Sequence, residues 1–146
     1  MKKGEIYIYA GYRSGKSFTA LGTAIKAAAS GEQVVIIQFL QGEGLADTEF
    51  IRRMEPELKL FKFEKDVPNI RNGLGFANKL LTTNGCSLLI LDEVLGLVEK
   101  GIITNEELEN LLETRGETTV VLTGETMENE LFSCIDTVHI QCYIKS

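Results

Sequence analysis

Ala10-Gly11-Tyr12-Arg13-Ser14-Gly15-Lys16-Ser17 places two glycines, a lysine and a serine at the spacing that wraps backbone around a phosphate, the Walker A pattern with Ala in its first position. Small residues let successive N–H groups curl about an anion, and a helix starting near Gly15 adds the positive end of its dipole. Lys16 then reaches terminal phosphates, and Ser17 offers its hydroxyl to Mg²⁺. A second chemical group, Asp92-Glu93, follows the apolar run Leu88-Leu89-Ile90-Leu91. That puts two carboxylates at the C-terminal end of an expected strand, the edge where open α/β sheets bind ligands, and a carboxylate there suits Mg²⁺. Each feature also has a plainer reading: a glycine-rich turn with one exposed lysine, and an acidic pair stabilised by a helix dipole. The strand before the loop and the helix after it favour the phosphate site. His139, the only histidine, lies between Val138 and Ile140 and reads as structural or surface, so nucleophilic triads have little support. Gly42-Glu43-Gly44 begins a dinucleotide fingerprint, but Asp47 stands where its third glycine belongs.

Positioning these groups takes alternating strands and helices. Lys2 to Tyr9 reads as a strand and Lys16 to Ser30 as a helix with an apolar stripe at Ala20, Leu21, Ala24, Ile25 and Ala28. Val34 to Leu40 is apolar almost throughout and suits a strand covered on both faces. A second helix is expected around Phe50, Ile51 and Met54, an edge strand over Leu58 to Phe63, and a helix over Ile70 to Leu81. Thr104-Asn105-Glu106-Glu107 has the capping-box form and precedes the stripe Leu108, Leu111, Leu112, with Glu106, Glu107, Glu109 and Glu113 on a solvated face. Strands over Thr118 to Leu122 and Thr137 to Ile144 flank a short helix over Met127 to Cys134. The order predicts right-handed crossovers and a three-layer α/β fold with a mostly parallel sheet, of the P-loop NTPase (RecA-like) class, with residues 1–146 as a single nucleotide-binding domain.

Composition narrows the function classes. With 146 residues, 44% hydrophobic and 25% charged, the chain suits one core and argues against disorder or a disulfide scaffold. A net charge of -6 argues against a broad grip on nucleic acid. No apolar run nears the roughly 20 residues a bilayer requires, and the start lacks a signal-peptide h-region, so a cytoplasmic protein without membrane contact is expected. Cys86, Cys134 and Cys142 share no CxxC spacing and read as small buried hydrophobes.

These residues resemble the P-loop corrinoid adenosyltransferases, the ATP:cob(I)alamin type, over nearly the whole chain. The likeness runs through Gly15-Lys16-Ser17, Thr19 to Ala24, Gln38-Phe39-Leu40-Gln41-Gly42, Leu91-Asp92-Glu93, Glu106-Glu107-Leu108, Leu122-Thr123-Gly124 and Asp136-Thr137-Val138. The resemblance implies that reduced Co(I) corrinoid attacks the 5′ carbon of ATP and triphosphate leaves, so the protein supplies positioning and electrostatics more than acid–base chemistry. It implies ATP and Mg²⁺ as bound groups, the corrinoid as substrate, and a homodimer as the assembly considered. Lys16 and Glu93 take the catalytic roles. Gly11, Tyr12, Arg13, Ser14, Gly15, Lys16, Ser17, Phe18, Lys26 and Gln41 hold the nucleotide, and Ser17, Asp92 and Glu93 hold the metal. Gln41 and Glu125 stand where the family usually carries Lys and Arg, and Lys26 replaces its first-helix Arg. Those departures keep a second reading open, a diverged ATP–Mg²⁺-binding paralogue that regulates or hydrolyses ATP slowly; a small-molecule kinase is a distant third.

Overall fold

Eleven elements follow in chain order: β1 Ile6–Ala10, α1 Lys16–Ala29, β2 Val34–Gln38, α2 Thr48–Arg52, β3 Leu58–Lys62, α3 Val67–Thr82, β4 Leu88–Asp92, α4 Val94–Glu99, α5 Asn105–Glu113, β5 Thr119–Gly124 and β6 Val138–Cys142. The computed structural model describes residues 3–11, 16–40, 48–125 and 138–142, with Lys16, Ser17, Phe18, Thr48, Phe50 and β6 followed as backbone. The strands form one sheet in the order β3-β2-β4-β5-β1-β6, and every pairing is parallel. Each neighbour is therefore reached by a crossover. The all-apolar runs explain the centre of this order, because every residue of β2 and β4 is buried.

The two faces of the sheet divide the core. Val34, Ile36, Leu88, Ile90 and Val121 pack against Ala20, Leu21, Ala24 and Ala28 of α1 and Ile51 of α2. Ile6, Ile8, Val35, Ile37, Leu89 and Leu91 meet Ile70, Ala77 and Leu81 of α3, Leu95 and Leu97 of α4, and Leu108 and Leu112 of α5. The result is the three-layer α/β architecture of a P-loop NTPase-like fold, with one strand, β5, between the strand that leads into the loop and the strand that ends in Asp92. Each fully buried Leu or Ile contributes roughly 1.5–3 kcal/mol. Three alanines four residues apart let α1 lie close on the sheet, which fixes where its first turn meets the sheet edge.

Some boundaries differ from those the sequence predicts. Met54 falls in the turn after α2. Helix α3 starts three residues earlier than Ile70 because the Asp66 side chain accepts the Asn69 N–H at 2.8 Å and Pro68 sits in the first turn, where no N–H is needed. Helix α4 has no counterpart in the sequence reading. The capping box at Thr104 forms, with Glu107 N–H donating to Thr104 Oγ1 at 3.0 Å. Two of the glutamates read as a solvated face make ion pairs: Glu107 with Arg71 at 2.5 Å and Glu113 with Lys3 at 2.8 Å. The expected helix over Met127 to Cys134 lies outside the described residues.

The N-terminal edge of the sheet closes on itself. Arg115, almost wholly buried, donates from Nε to the Gly4 carbonyl at 2.6 Å and from NH1 to the Leu112 carbonyl at 3.0 Å. Thr118 Oγ1 donates to the Cys86 carbonyl at 2.8 Å. These donors satisfy carbonyls left over where strands begin and α5 ends.

Candidate functional site at the C-terminal rim

Register aligns a polar row across four neighbouring strands. Gln38 pairs with Asp92, and Tyr9 pairs with Thr123, while Leu91 opposite Leu122 makes Asp92 and Thr123 the next cross-strand neighbours. Strand alternation puts all four on the α1 face, in step with Ile36, Ile90 and Val121. All are buried, Asp92 at 1% and Thr123 at 0% exposure. The Thr123 hydroxyl donates to Asp92 Oδ1 at 2.7 Å, and Thr123 Oγ1 also accepts the Glu93 N–H at 2.8 Å. One hydroxyl thus uses its donor on a carboxylate and a lone pair on the next backbone amide.

Glu93 turns the chain from β4 into α4. Its backbone is left-handed, with φ 63° and ψ 19°, a conformation costing a non-glycine residue roughly 1–2 kcal/mol. The turn is held by the Thr123 bond and by Val94 and Leu95, which anchor α4 in the core. Leu40 and the Glu93 carboxylate flank Gly96. The acid pair is therefore bounded by apolar side chains, and β2 is tied to it by the Phe39 N–H on the Asp92 carbonyl at 3.1 Å.

The second residue of the phosphate-loop motif joins the same rim. Gly11 is buried, and its N–H donates to the Gly124 carbonyl at 3.0 Å. From there α1 begins at Lys16 and runs over the face to which Asp92 and Thr123 belong. Residues 2–146 match the family described as ATP:corrinoid adenosyltransferase BtuR/CobO/CobP. The chain belongs to this family. It is similar to the corrinoid adenosyltransferase of Escherichia coli strain K12, 26% identical over 148 residues that cover 94% of this chain and 76% of the relative. It is also similar to the corrinoid adenosyltransferase CobA of Salmonella typhimurium strain LT2, 24% identical over the same shares.

Against the residues expected to serve a corrinoid adenosyltransferase, the structure places some together and others apart. Asp92, Glu93 and Gly11 meet at one rim, and Lys16, Ser17 and Phe18 open α1 beside it. Tyr12, Arg13, Ser14, Gly15 and Gln41 lie outside the described residues. Lys26 is not gathered with them. Ten residues past Lys16, it sits about 15 Å along the helix at 1.5 Å per residue. There it is exposed in the last turn of α1, lining with Thr23, Ser87 and Thr119 a cavity of about 260 Å³ near the N-terminal edge. Glu125 is exposed immediately beyond β5. Thr123's double hydrogen bond escapes sequence reasoning, because the strand order that puts it beside Asp92 is not visible in a linear chain.

The donors present suit Mg²⁺. Among the described residues no three His, Cys, Asp or Glu side chains cluster as a metal cage. Two adjacent carboxylates at a buried rim instead match the way Mg²⁺ is held, by one or two carboxylates together with phosphate oxygens and waters. Asp92 and Glu93 are the residues that would take part, and the ion would neutralise charge on a bound polyphosphate.

Proposed function

We propose that this chain transfers the 5′-deoxyadenosyl group of ATP to a reduced Co(I) corrinoid. The electron pair of Co(I) attacks C5′, a Co–C bond forms, and the C5′–O bond breaks with its pair leaving on triphosphate. Cobalt is oxidised formally from Co(I) to Co(III), and no proton needs to move at the reacting carbon. The protein's work is then to bind the triphosphate as a leaving group, aim C5′ and keep water out. In this reading Gly11, Tyr12, Arg13, Ser14 and Gly15 wrap the phosphates, Lys16 offsets charge on the departing oxygen, and Ser17, Asp92 and Glu93 hold Mg²⁺, with Phe18 and Gln41 beside the nucleotide. Lys26, far along α1, has no assigned contact in it. Leu40, which flanks Gly96 together with the Glu93 carboxylate, supports exclusion of water.

The observation that carries the reading is the family match across residues 2–146. The polar rim, Gly11 through Glu93, supports it as the place where a phosphate loop and its acidic partner meet. The reading puts the enzyme in the cytoplasm, where ATP is made, as a single nucleotide-binding domain without nucleic-acid partners, and a homodimer is its proposed assembly. Among the described residues no helix is long and apolar enough to cross a membrane. Incubation with ATP, Mg²⁺ and chemically reduced cobalamin tests it. The expected result is the spectral change of alkylated corrinoid with equimolar triphosphate release; ATP binding without transfer to any of several corrinoids would overturn it.

A further inference from the structure

The geometry points to Thr123 as the positioning residue that sets the two rim carboxylates for metal, a role resting on the transferase reading above. Its hydroxyl touches both halves of the acid pair, the Asp92 carboxylate at 2.7 Å and the Glu93 backbone amide at 2.8 Å. The first contact fixes the rotation of Asp92. The second holds Glu93 in its left-handed turn, and that turn decides where the Glu93 side chain leaves the backbone. Thr123 itself has no room to shift. It is fully buried, and the next residue, Gly124, is held between the Gly11 N–H on its carbonyl and Leu95 of α4. A Cβ on Gly124 would lie 2.3 Å from Leu95 Cβ, so this close approach requires glycine. The end of β5 therefore gauges the distance from the loop's second residue to the acid pair and passes that distance on through one hydroxyl. Thr123 makes no contact with the reacting atoms in this account; it acts through Asp92 and Glu93.

The test compares wild type, Thr123→Val, which keeps the shape without the hydroxyl, and Thr123→Ser, which keeps the hydroxyl without the methyl. ATP binding is measured by calorimetry across Mg²⁺ concentrations and in EDTA, with thermal unfolding of the nucleotide-free protein alongside. Thr123→Val should raise the Mg²⁺ concentration for half-maximal ATP binding by about 10- to 100-fold, as loss of other metal-orienting partners does. Affinity for ATP in EDTA should stay within about twofold, and Thr123→Ser should restore the wild-type metal requirement. A merely structural residue would lower the melting temperature in Val without moving the Mg²⁺ midpoint, and that result would overturn the role. Should Val fail to fold, Thr123→Ala removes the same hydroxyl with less bulk and is held to the same outcome. A wild-type protein that binds ATP equally with and without Mg²⁺ would remove the metal assignment and this role together. That failure is read before any variant is made. The expected shift in Thr123→Val and its rescue in Thr123→Ser, found in a protein that transfers no adenosyl group, would instead count against the transferase reading and in favour of Thr123's role.

Discussion

Both edges of the sheet bury polar groups, but the N-terminal edge buries donors on backbone carbonyls and the C-terminal edge buries carboxylates on a hydroxyl. Arg115 and Thr118 spend their hydrogens on the carbonyls of Gly4, Leu112 and Cys86, atoms the fold must satisfy somewhere. Asp92 and Glu93 are fastened by neutral Thr123, which orients them without cancelling their charge. One edge is therefore closed chemistry, complete within the chain. The other orients two carboxylates at the strand ends, with a left-handed residue as part of its cost. The difference separates side chains that satisfy the backbone from side chains that carry charge at the rim.

The contrast breaks most visibly if Asp92 proves structural. Asp92→Asn should lower adenosyl transfer by about 100-fold or more, the scale on which single charge-stabilising groups act. Its thermal stability should change much less, because Asn keeps an oxygen that can accept the Thr123 hydroxyl. A variant that loses stability as steeply as activity would erase the distinction. The mirror experiment is Arg115→Met, which keeps volume but leaves the Gly4 and Leu112 carbonyls without their donors; urea unfolding should show a loss of about 2–3 kcal/mol. The folded variant should retain its KM for ATP. Smaller in effect, Cys86 sharpens the picture of a sealed N-terminal edge. Burial pushes its thiol up to about 11, so at pH 8 its peptide should be alkylated at least roughly tenfold more slowly than an exposed cysteine, as read by peptide mass mapping. Arg115→Met should speed that labelling.

The smallest effect belongs to the exposed pair between α3 and α5. The hydrogen bond from Arg71 holds the Glu107 carboxyl below its ordinary value, with Thr104 and the charge of Arg71 acting in the same direction against burial. A lowered folded-state pKa means this contribution is present above the ordinary carboxylate range and is lost as pH falls through the lowered value. Stability followed by circular dichroism along the acid limb should thus fall slightly more steeply in wild type, which starts a little above Arg71→Ala at neutral pH and converges on it as pH drops through the lowered value. An unchanged acid limb would assign the pair no role in linking the two helices.

The apolar runs of β2 and β4 were readable because interior parallel strands have no polar face to interrupt them. The capping box at Thr104 was readable for a different reason, since its two hydrogen bonds are local and lie within four residues. Helix α4 was not readable. Val94 to Glu99 continues the hydrophobicity of β4, and the only break is Asp92-Glu93, where no glycine or asparagine announces a left-handed turn. Helix α3 was blurred by Gly73, whose place is explained by the Phe63 ring packed against it, a contact between elements and not a local preference. For the candidate site, Lys16, Ser17, Asp92 and Glu93 are proposed from residue type and spacing. The distance of Lys26 from the start of α1 and the silence about Thr123's bonds share one cause. Distance along a helix and adjacency of strands are properties of the assembled sheet.

That assembly also imposes an order in time. Strand β1 pairs only with β5 and β6, whose residues lie between Thr119 and Cys142, whereas β2, β3 and β4 are neighbours drawn from Val34 to Asp92. As the chain leaves the ribosome, the β3-β2-β4 group can pair while the strand that begins the protein still has no partner. Non-local pairings of this kind are slow because the loop must close before any contact rewards it. Strand β1 is consequently among the last parts to pair, and pulse-labelled amides of β2 and β4 should become protected before those of β1. A nascent chain would carry Lys16 long before β1 had its neighbours in the sheet.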